Sequence, residues 1–227
     1  MAHILLTGAS RGIGAAIADA LSHHRLVALS SKDGDLGDPT VPGQYWESAL
    51  DRLDGRIDIL INNAGVFESN PIESDDDDWL ACWQRTMAIN LTASADLCRR
   101  FVRHCQAGGH GGRIINIASR AAHRGDSPAH WHYAASKGGM VAMTKTIARA
   151  YAAQDILAFA VCPGFTMTGM ADDYLASRGG DKLLADIPLG RVAEPAEVAQ
   201  LVQFLAESAP PSMTGGVIDI NGASYVR

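Results

Sequence analysis

Thr7-Gly8-Ala9-Ser10-Arg11-Gly12-Ile13-Gly14 is the stretch on which the reading of this chain turns. It follows the apolar run His3-Ile4-Leu5-Leu6 and opens into an Ala-rich helical pattern from Ala15 to Leu21. A strand that runs into a Gly-rich turn and then a helix is a device for holding phosphate. The glycines let the backbone approach a pyrophosphate without Cβ clashes, and the unpaired N–H groups at the helix N-terminus point at the anion. The spacing is wider than the usual dinucleotide fingerprint, with Gly8 and Gly12 four apart and Gly14 two further on. Such a turn also occurs as a purely structural element, so its meaning rests on what lies downstream.

Downstream, apolar strand-like runs alternate with helical patterns. Strands are expected at residues 4–7, 26–30, 57–62, 113–118, 156–161 and 217–220. Helices are expected from the turn to about 23, then near 44–53, 75–104, 132–153 and 195–207. Repeated strand–helix–strand units imply a parallel sheet with helices on both faces, where ligands bind beyond the carboxyl ends of the strands. The fold class is α/β: one Rossmann-type, doubly wound, mostly parallel domain over residues 1–227, shortened around strand three. The shortening is expected at residues 32–42, which hold Gly34, Gly37, Pro39 and Pro42 and are too few for a crossover helix plus a strand.

Composition narrows the function classes. Net charge is −6, hydrophobic residues make up 47% and charged residues 19%, the balance of an ordinary soluble domain. The basic residues are scattered, which disfavours a nucleic-acid surface. No apolar run approaches the length of a membrane span, and the N-terminus runs straight into the Gly-rich turn without a basic leader. Cys82, Cys98, Cys105 and Cys162 are dispersed and suggest free thiols in the cytoplasm. Ser74-Asp75-Asp76-Asp77-Asp78 reads as a helix start, capped by Ser74 or Asp75, and not as a metal site.

Tyr133 and Lys137 stand four apart in Tyr-Ala-Ala-Ser-Lys, a spacing that puts both on one helix face. A free tyrosine loses its proton only near pH ~10. A neighbouring ammonium lowers that value and makes the phenol a usable acid or base. Ser119 lies fourteen residues upstream at a strand end, and Asn62-Asn63-Ala64-Gly65, Asn90 and Pro163-Gly164 complete an ordered set.

That ordered set resembles the short-chain dehydrogenase/reductase family over essentially the whole chain, and its Gly-rich turn is most similar to the 3-oxoacyl carrier-protein reductase branch. The resemblance implies a catalytic set of Asn90, Ser119, Tyr133 and Lys137. Tyr133 would give a proton to a carbonyl oxygen that Ser119 also hydrogen-bonds. Lys137 would depress the Tyr133 pKa and bind the nicotinamide ribose, and Asn90 would hold a proton-relaying water. The cofactor would lie on Gly8, Ser10, Arg11, Gly12, Ile13 and Gly14, on Asn63, Ala64 and Gly65, and on Tyr133 and Lys137. Pro163, Gly164 and Thr168 would meet its carboxamide end, and Asp35 and Leu36 its adenine. Ser31 and Lys32 at the end of strand two, with Arg11, favour a 2′-phosphate and hence NADP(H). Asp33, one residue on, keeps NAD(H) open. His123, His130 and His132 read as pocket-lining or solvent-facing, with no metal. The small residues Ala134, Ala135, Gly138, Gly139 and Ala142 and the family habit suggest a homotetramer. The reading is an NADPH-dependent reductase of a small ketone or aldehyde. The alternatives are an alcohol- or sterol-type dehydrogenase working oxidatively, or a silent dinucleotide-binding sensor or scaffold.

Overall fold

The structure, a computed structural model, describes residues 1–167 and 184–227. Six strands form a single all-parallel sheet in the order β2-β1-β3-β4-β5-β6. They are β1 (His3–Thr7), β2 (Arg25–Leu29), β3 (Ile59–Asn62), β4 (Gly112–Ile117), β5 (Ile156–Pro163) and β6 (Val217–Ile220). Parallel strands covered on both faces read as unbroken apolar runs, and for that reason all six were visible in the sequence.

Side chains alternate along each strand and feed two cores. Leu5, Leu60 and Ile114 join α2 (Val41–Arg52) and α4 (Ala93–Gly108), where Trp46, Leu97 and Phe101 pack. Ile4, Leu6, Ile61, Ile115 and Phe159 face the other way, onto α1 (Gly12–Ala20) and α7 (Pro195–Glu207). α3 (Asp76–Met87), the short α5 (Ala121–Arg124) and α6 (Trp131–Tyr151) complete the described helices.

The helix expected at residues 75–104 runs from Asp76 to Gly108 but carries a π-helical segment, Ala88–Thr92, between α3 and α4. Asp75 stands at the N-cap of α3 without a side-chain capping bond, so the acids act through the first turn, where Asp76, Asp77 and Asp78 sit. No helix forms between β2 and Val41, as the breakers Gly34, Gly37 and Pro39 predicted, but Pro42 stands in the first turn of α2 and not in the loop. The segment closes the core itself: Leu36 is buried beside Val41 and Tyr45, and the Tyr45 hydroxyl donates to Gly34 O at 2.9 Å. Among the described residues no helix is long and apolar enough to cross a membrane.

Candidate active site

The strand order reverses between β1 and β3, because β1 leads outward to β2 and the chain then returns to β3 on the other side of β1. A doubly wound sheet opens its ligand crevice at that reversal, beyond the carboxyl ends of the strands. The Gly-rich turn leaves β1 there, and Asn63-Ala64-Gly65 leaves β3. The two are stitched together. Asn63 Nδ2 donates to Gly8 O at 2.9 Å and to Thr7 O at 3.2 Å, and Thr7 Oγ1 accepts the N–H groups of Asn63 and Ala64, both at 3.2 Å. Glycine is obligatory in this joint. Gly8 has φ +71°, and a Cβ on Gly14 would lie 2.0 Å from Gly8 O. No side chain caps α1, and its first turn holds no acid. Its leading N–H groups and positive dipole end therefore fit an anion such as a dinucleotide pyrophosphate. Ser10 and Arg11 are exposed beside Gly12 and Ile13.

Past β2, Ser31 and Lys32 are exposed. Asp33 folds back: its Oδ2 accepts the Ser30 N–H at 2.8 Å and the Ser30 hydroxyl at 3.1 Å. Asp35 accepts the Gly37 N–H at 2.9 Å and pairs with Arg85 of α3 at 2.9 Å, and both contacts hold its carboxyl below the usual range. Asp35 and Leu36, the expected adenine wall, make contacts within the chain. Without a crossover helix to fill the core edge, Leu36 is drawn into it, and Asp35 is spent on Gly37 and Arg85.

At the other end of the crevice, β4 runs out into Ser119, α6 brings Tyr133 and Lys137, and the π segment brings Asn90. Ser119 stands beside the Tyr133 hydroxyl, and its Oγ accepts the Ala121 N–H at 3.1 Å. Lys137, 4% exposed, donates from Nζ to Ile117 O at 2.8 Å, and Nζ lies 5.9 Å from the Tyr133 ring centroid. Asn90 is fully buried. Its Oδ1 accepts the Val66 N–H at 2.8 Å, and its Nδ2 donates to Val66 O at 3.0 Å and to Ser136 Oγ at 3.3 Å. A π bulge turns a helical side chain out of register, which is how Asn90 reaches the loop after β3. Gly65 keeps that loop close: a Cβ there would meet Asn90 Oδ1 at 3.3 Å and Lys137 Nζ at 3.5 Å.

Burial dominates the electrostatics of the pair. It pushes the Tyr133 phenol up to about 12, against the lowering effect of Ser119, and pushes the Lys137 ammonium down to about 8. The Lys137 ammonium, which the resemblance sets to lower the Tyr133 pKa, is here turned onto Ile117 O, and burial is the largest influence on both groups.

The Pro163-Gly164 corner closes the site. Pro163 O accepts the Arg120 N–H at 3.0 Å, and Gly164 donates to Ile220 O at 3.0 Å with Asn221 too close for a Cβ. Thr168 lies outside the described residues.

The structure also adds residues that the sequence did not single out. Phe67 stacks on His130 (3.9 Å, 6°) and meets Tyr133 edge-on at 4.8 Å. The row continues through His132 to Trp83 and Trp79 of α3, with centroid spacings of 6.2, 6.4 and 5.3 Å. The four-residue spacing of the two tryptophans and the place of Phe67, two residues after Gly65, were the available signals. His130 and His132 stand in this row beside Tyr133. His123 does not belong with them: it sits beside Cys162, with Nε2 3.7 Å from Sγ.

Comparison with known proteins shows likeness over nearly the whole chain. A family model described as enoyl-(acyl carrier protein) reductase matches residues 32–223. The 3-oxoacyl-[acyl-carrier-protein] reductase of Haemophilus influenzae is 33% identical over 242 residues, covering 98% of this chain and 97% of the relative. The enzyme of the same name from Escherichia coli K12 is 33% identical, covering 98% and 96%. Among solved structures, the 3-ketoacyl-(acyl-carrier-protein) reductase of Brucella melitensis complexed with NADH superposes with a TM-score of 0.86. It is 24% identical and covers 98% of each chain, a likeness of fold.

Proposed function

The chain belongs to the short-chain dehydrogenase/reductase family, oxidoreductases of the carbonyl and CH–OH couple, and on that premise we propose that it reduces a small ketone or aldehyde with NADPH. The observation that carries the reading is the convergence of Ser119, Tyr133, the buried Lys137 and the buried Asn90 at one end of the crevice. A protonated phenol can donate to a carbonyl oxygen, and the likeness to 3-oxoacyl-[acyl-carrier-protein] reductases supports the reductive direction over the oxidative one. The complete set of Asn90, Ser119, Tyr133 and Lys137 argues against a silent binding protein.

NADPH, when bound, would supply the hydride for the carbonyl carbon. Tyr133 gives its O–H proton to the carbonyl oxygen as negative charge develops there, and the Ser119 hydroxyl hydrogen-bonds the same oxygen. Lys137 holds the nicotinamide ribose. Asn90 has a second lone pair on Oδ1 for the water that returns a proton towards Lys137. Gly8, Ser10, Arg11, Gly12, Ile13 and Gly14 hold the pyrophosphate, and Asn63, Ala64 and Gly65 the adenosine ribose. Pro163, Gly164 and Thr168 would hold the carboxamide. Arg11, Ser31 and Lys32 bind the 2′-phosphate, a reading supported by Asp33, whose carboxylate is turned onto Ser30.

The enzyme is a cytoplasmic homotetramer in this reading, with its four cysteines free. α6 supports close helix pairing across a two-fold axis, since Ala135 and Ala142 are exposed and Gly138 is nearly open, whereas Gly139 is spent on Leu91. A panel of ketones and aldehydes followed by NADPH absorbance tests the activity. NADPH consumption with at least one carbonyl is expected. Tight NADPH binding with no turnover across the panel would return the chain to the sensor class. Light scattering at micromolar concentration tests the tetramer, and a stable monomer would exclude it.

A further inference from the structure

Cys162 and Asp219 are direct partners in the β5–β6 register, so their side chains leave the same face of the sheet side by side. α5, the single turn that begins just after Ser119, brings His123 onto them. Cys162 Sγ lies 3.7 Å from His123 Nε2. A ring nitrogen, the thiol sulfur and a carboxylate oxygen of the three residues all fall within 4.8 Å of one another. These are the three side-chain types that zinc binds. Ligands at the usual Zn–S and Zn–N distances, set at a tetrahedral angle, stand about 3.5 Å apart, close to the sulfur–nitrogen separation seen.

A thiol–imidazole contact alone accounts for two of the three groups and leaves the third unexplained. Asp219 Oδ1 is buried and has no hydrogen-bond partner among the described residues, while its Oδ2 takes the Arg227 Nε–H at 2.9 Å. A buried, unsatisfied acceptor needs an explanation, and an ion is one of the standard ones. Arg227 is placed as an outer partner that orients the carboxylate and leaves Oδ1 for the ion. The His123 ring is also fixed, stacked on Tyr225 at 5.8 Å and 3°. A cleft lined by Asp219, Asn221, Tyr225 and Arg227 opens beside the carboxylate.

We propose that His123, Cys162 and Asp219 form a zinc site, with water as the fourth ligand, that clamps α5 to β5 and β6 behind Ser119. On binding, the Cys162 thiol loses its proton to solvent and the thiolate coordinates the ion, with no change of oxidation state. The role is positional: the clamp fixes the turn that follows Ser119. Cys162 is wholly buried, which excludes a nucleophile in its place. A second cluster, His23, His24 and Glu207, is no rival. His24 Nδ1 accepts the Ala2 N–H, so its Nε2 carries the hydrogen that points at Glu207.

The test uses the full chain after chelator treatment, with Co²⁺ as the optical probe. One equivalent should produce a thiolate-to-cobalt charge-transfer band with the ligand-field bands of a tetrahedral ion, and Zn²⁺ should abolish both. Cys162→Ala should lose the charge-transfer band, and Asp219→Asn should weaken cobalt binding at least tenfold. Cys82→Ala and Glu207→Gln should leave both unchanged. Should Cys162→Ala fail to fold by circular dichroism, the near-isosteric Asp219→Asn carries the decision. The proposal is overturned if the wild-type chain gives no band, if the band follows Cys82, or if Asp219→Asn binds cobalt as tightly as wild type.

Discussion

At the β1–β3 end of the crevice the shape comes from glycines packed against backbone, whereas at the β4–α6 end it comes from buried polar side chains with their hydrogen bonds in use. A Cβ on Gly14 would strike the Gly8 carbonyl, and one on Gly8 would strike Ala64 Cα at 2.6 Å. Across the crevice, Asn90 and Ser136 are fully buried and Lys137 nearly so, each with a partner. The first end is limited by volume and carries no buried ionisable group of its own. The second is limited by proton affinity, because burial sets the tyrosine and lysine values in opposite directions. One region should therefore respond to added atoms and the other to removed protons.

The largest effect should come from Tyr133→Phe, which keeps the ring and removes the proton. Turnover should fall about 10²–10⁴-fold, the usual worth of a general acid, with NADPH affinity within a few-fold by fluorescence titration. Wild-type turnover in this variant would remove Tyr133 from its role. Gly14→Ala probes the opposite end. Overpacking there should cost about 1–3 kcal/mol in denaturant unfolding, and NADPH binding should fall with it. A variant of unchanged stability would show that the joint yields.

The proton-limited end should also show in pH. Lys137 is an ammonium below about 8 and neutral above it. If the charged form holds the ribose, kcat/KM for reduction should be level from mildly acidic pH to about 8 and then decline as the proton is lost. Lys137→Arg should remove that inflection, since a guanidinium stays charged throughout. A level profile for the wild-type enzyme well above 8 would detach the rate from this group. Smaller still, Arg11→Ala combined with Lys32→Ala should erode the NADPH-over-NADH preference by roughly tenfold, the scale of one exposed charge-assisted contact. An NADH preference in the wild-type enzyme would instead implicate Asp33. Asp35→Ala should do least. Its exposed pair with Arg85 is worth at most ~1 kcal/mol, and NADPH affinity should not move now that Asp35 is tied to Gly37 and Arg85. A large loss of affinity would return it to the adenine pocket.

The strands were legible because a sheet covered on both faces leaves an unbroken apolar trace, and the joint at Gly8 and Gly14 was legible because few residues besides glycine tolerate it. The missing crossover helix followed from breaker residues and length alone. Other features depend on contacts that no local pattern encodes. The π segment at Ala88–Thr92 is a small change of hydrogen-bond ring inside a good helix, and Asn90 owes its position to it. The opposite shifts of Tyr133 and Lys137 come from burial, which a spacing of four does not reveal. His123 and His130 are seven apart in sequence yet serve different neighbourhoods. Cys162 meets Asp219 only through the register of two strands far apart in the chain.

The packing of α1 against α7 sets the order in which the protein can be completed. Ile17 and Leu21 are covered by Val198, Ala199 and Val202, and His23 and His24 reach Glu207. The helix that starts at the Gly-rich turn is made long before the helix that covers it. Its apolar face therefore waits, exposed, through most of synthesis, and a sheet joined by such distant pairings folds slowly. A nascent chain arrested before residue 195 should have no nucleotide grip and should be held by chaperones, an outcome that pulse proteolysis of truncated chains would read directly.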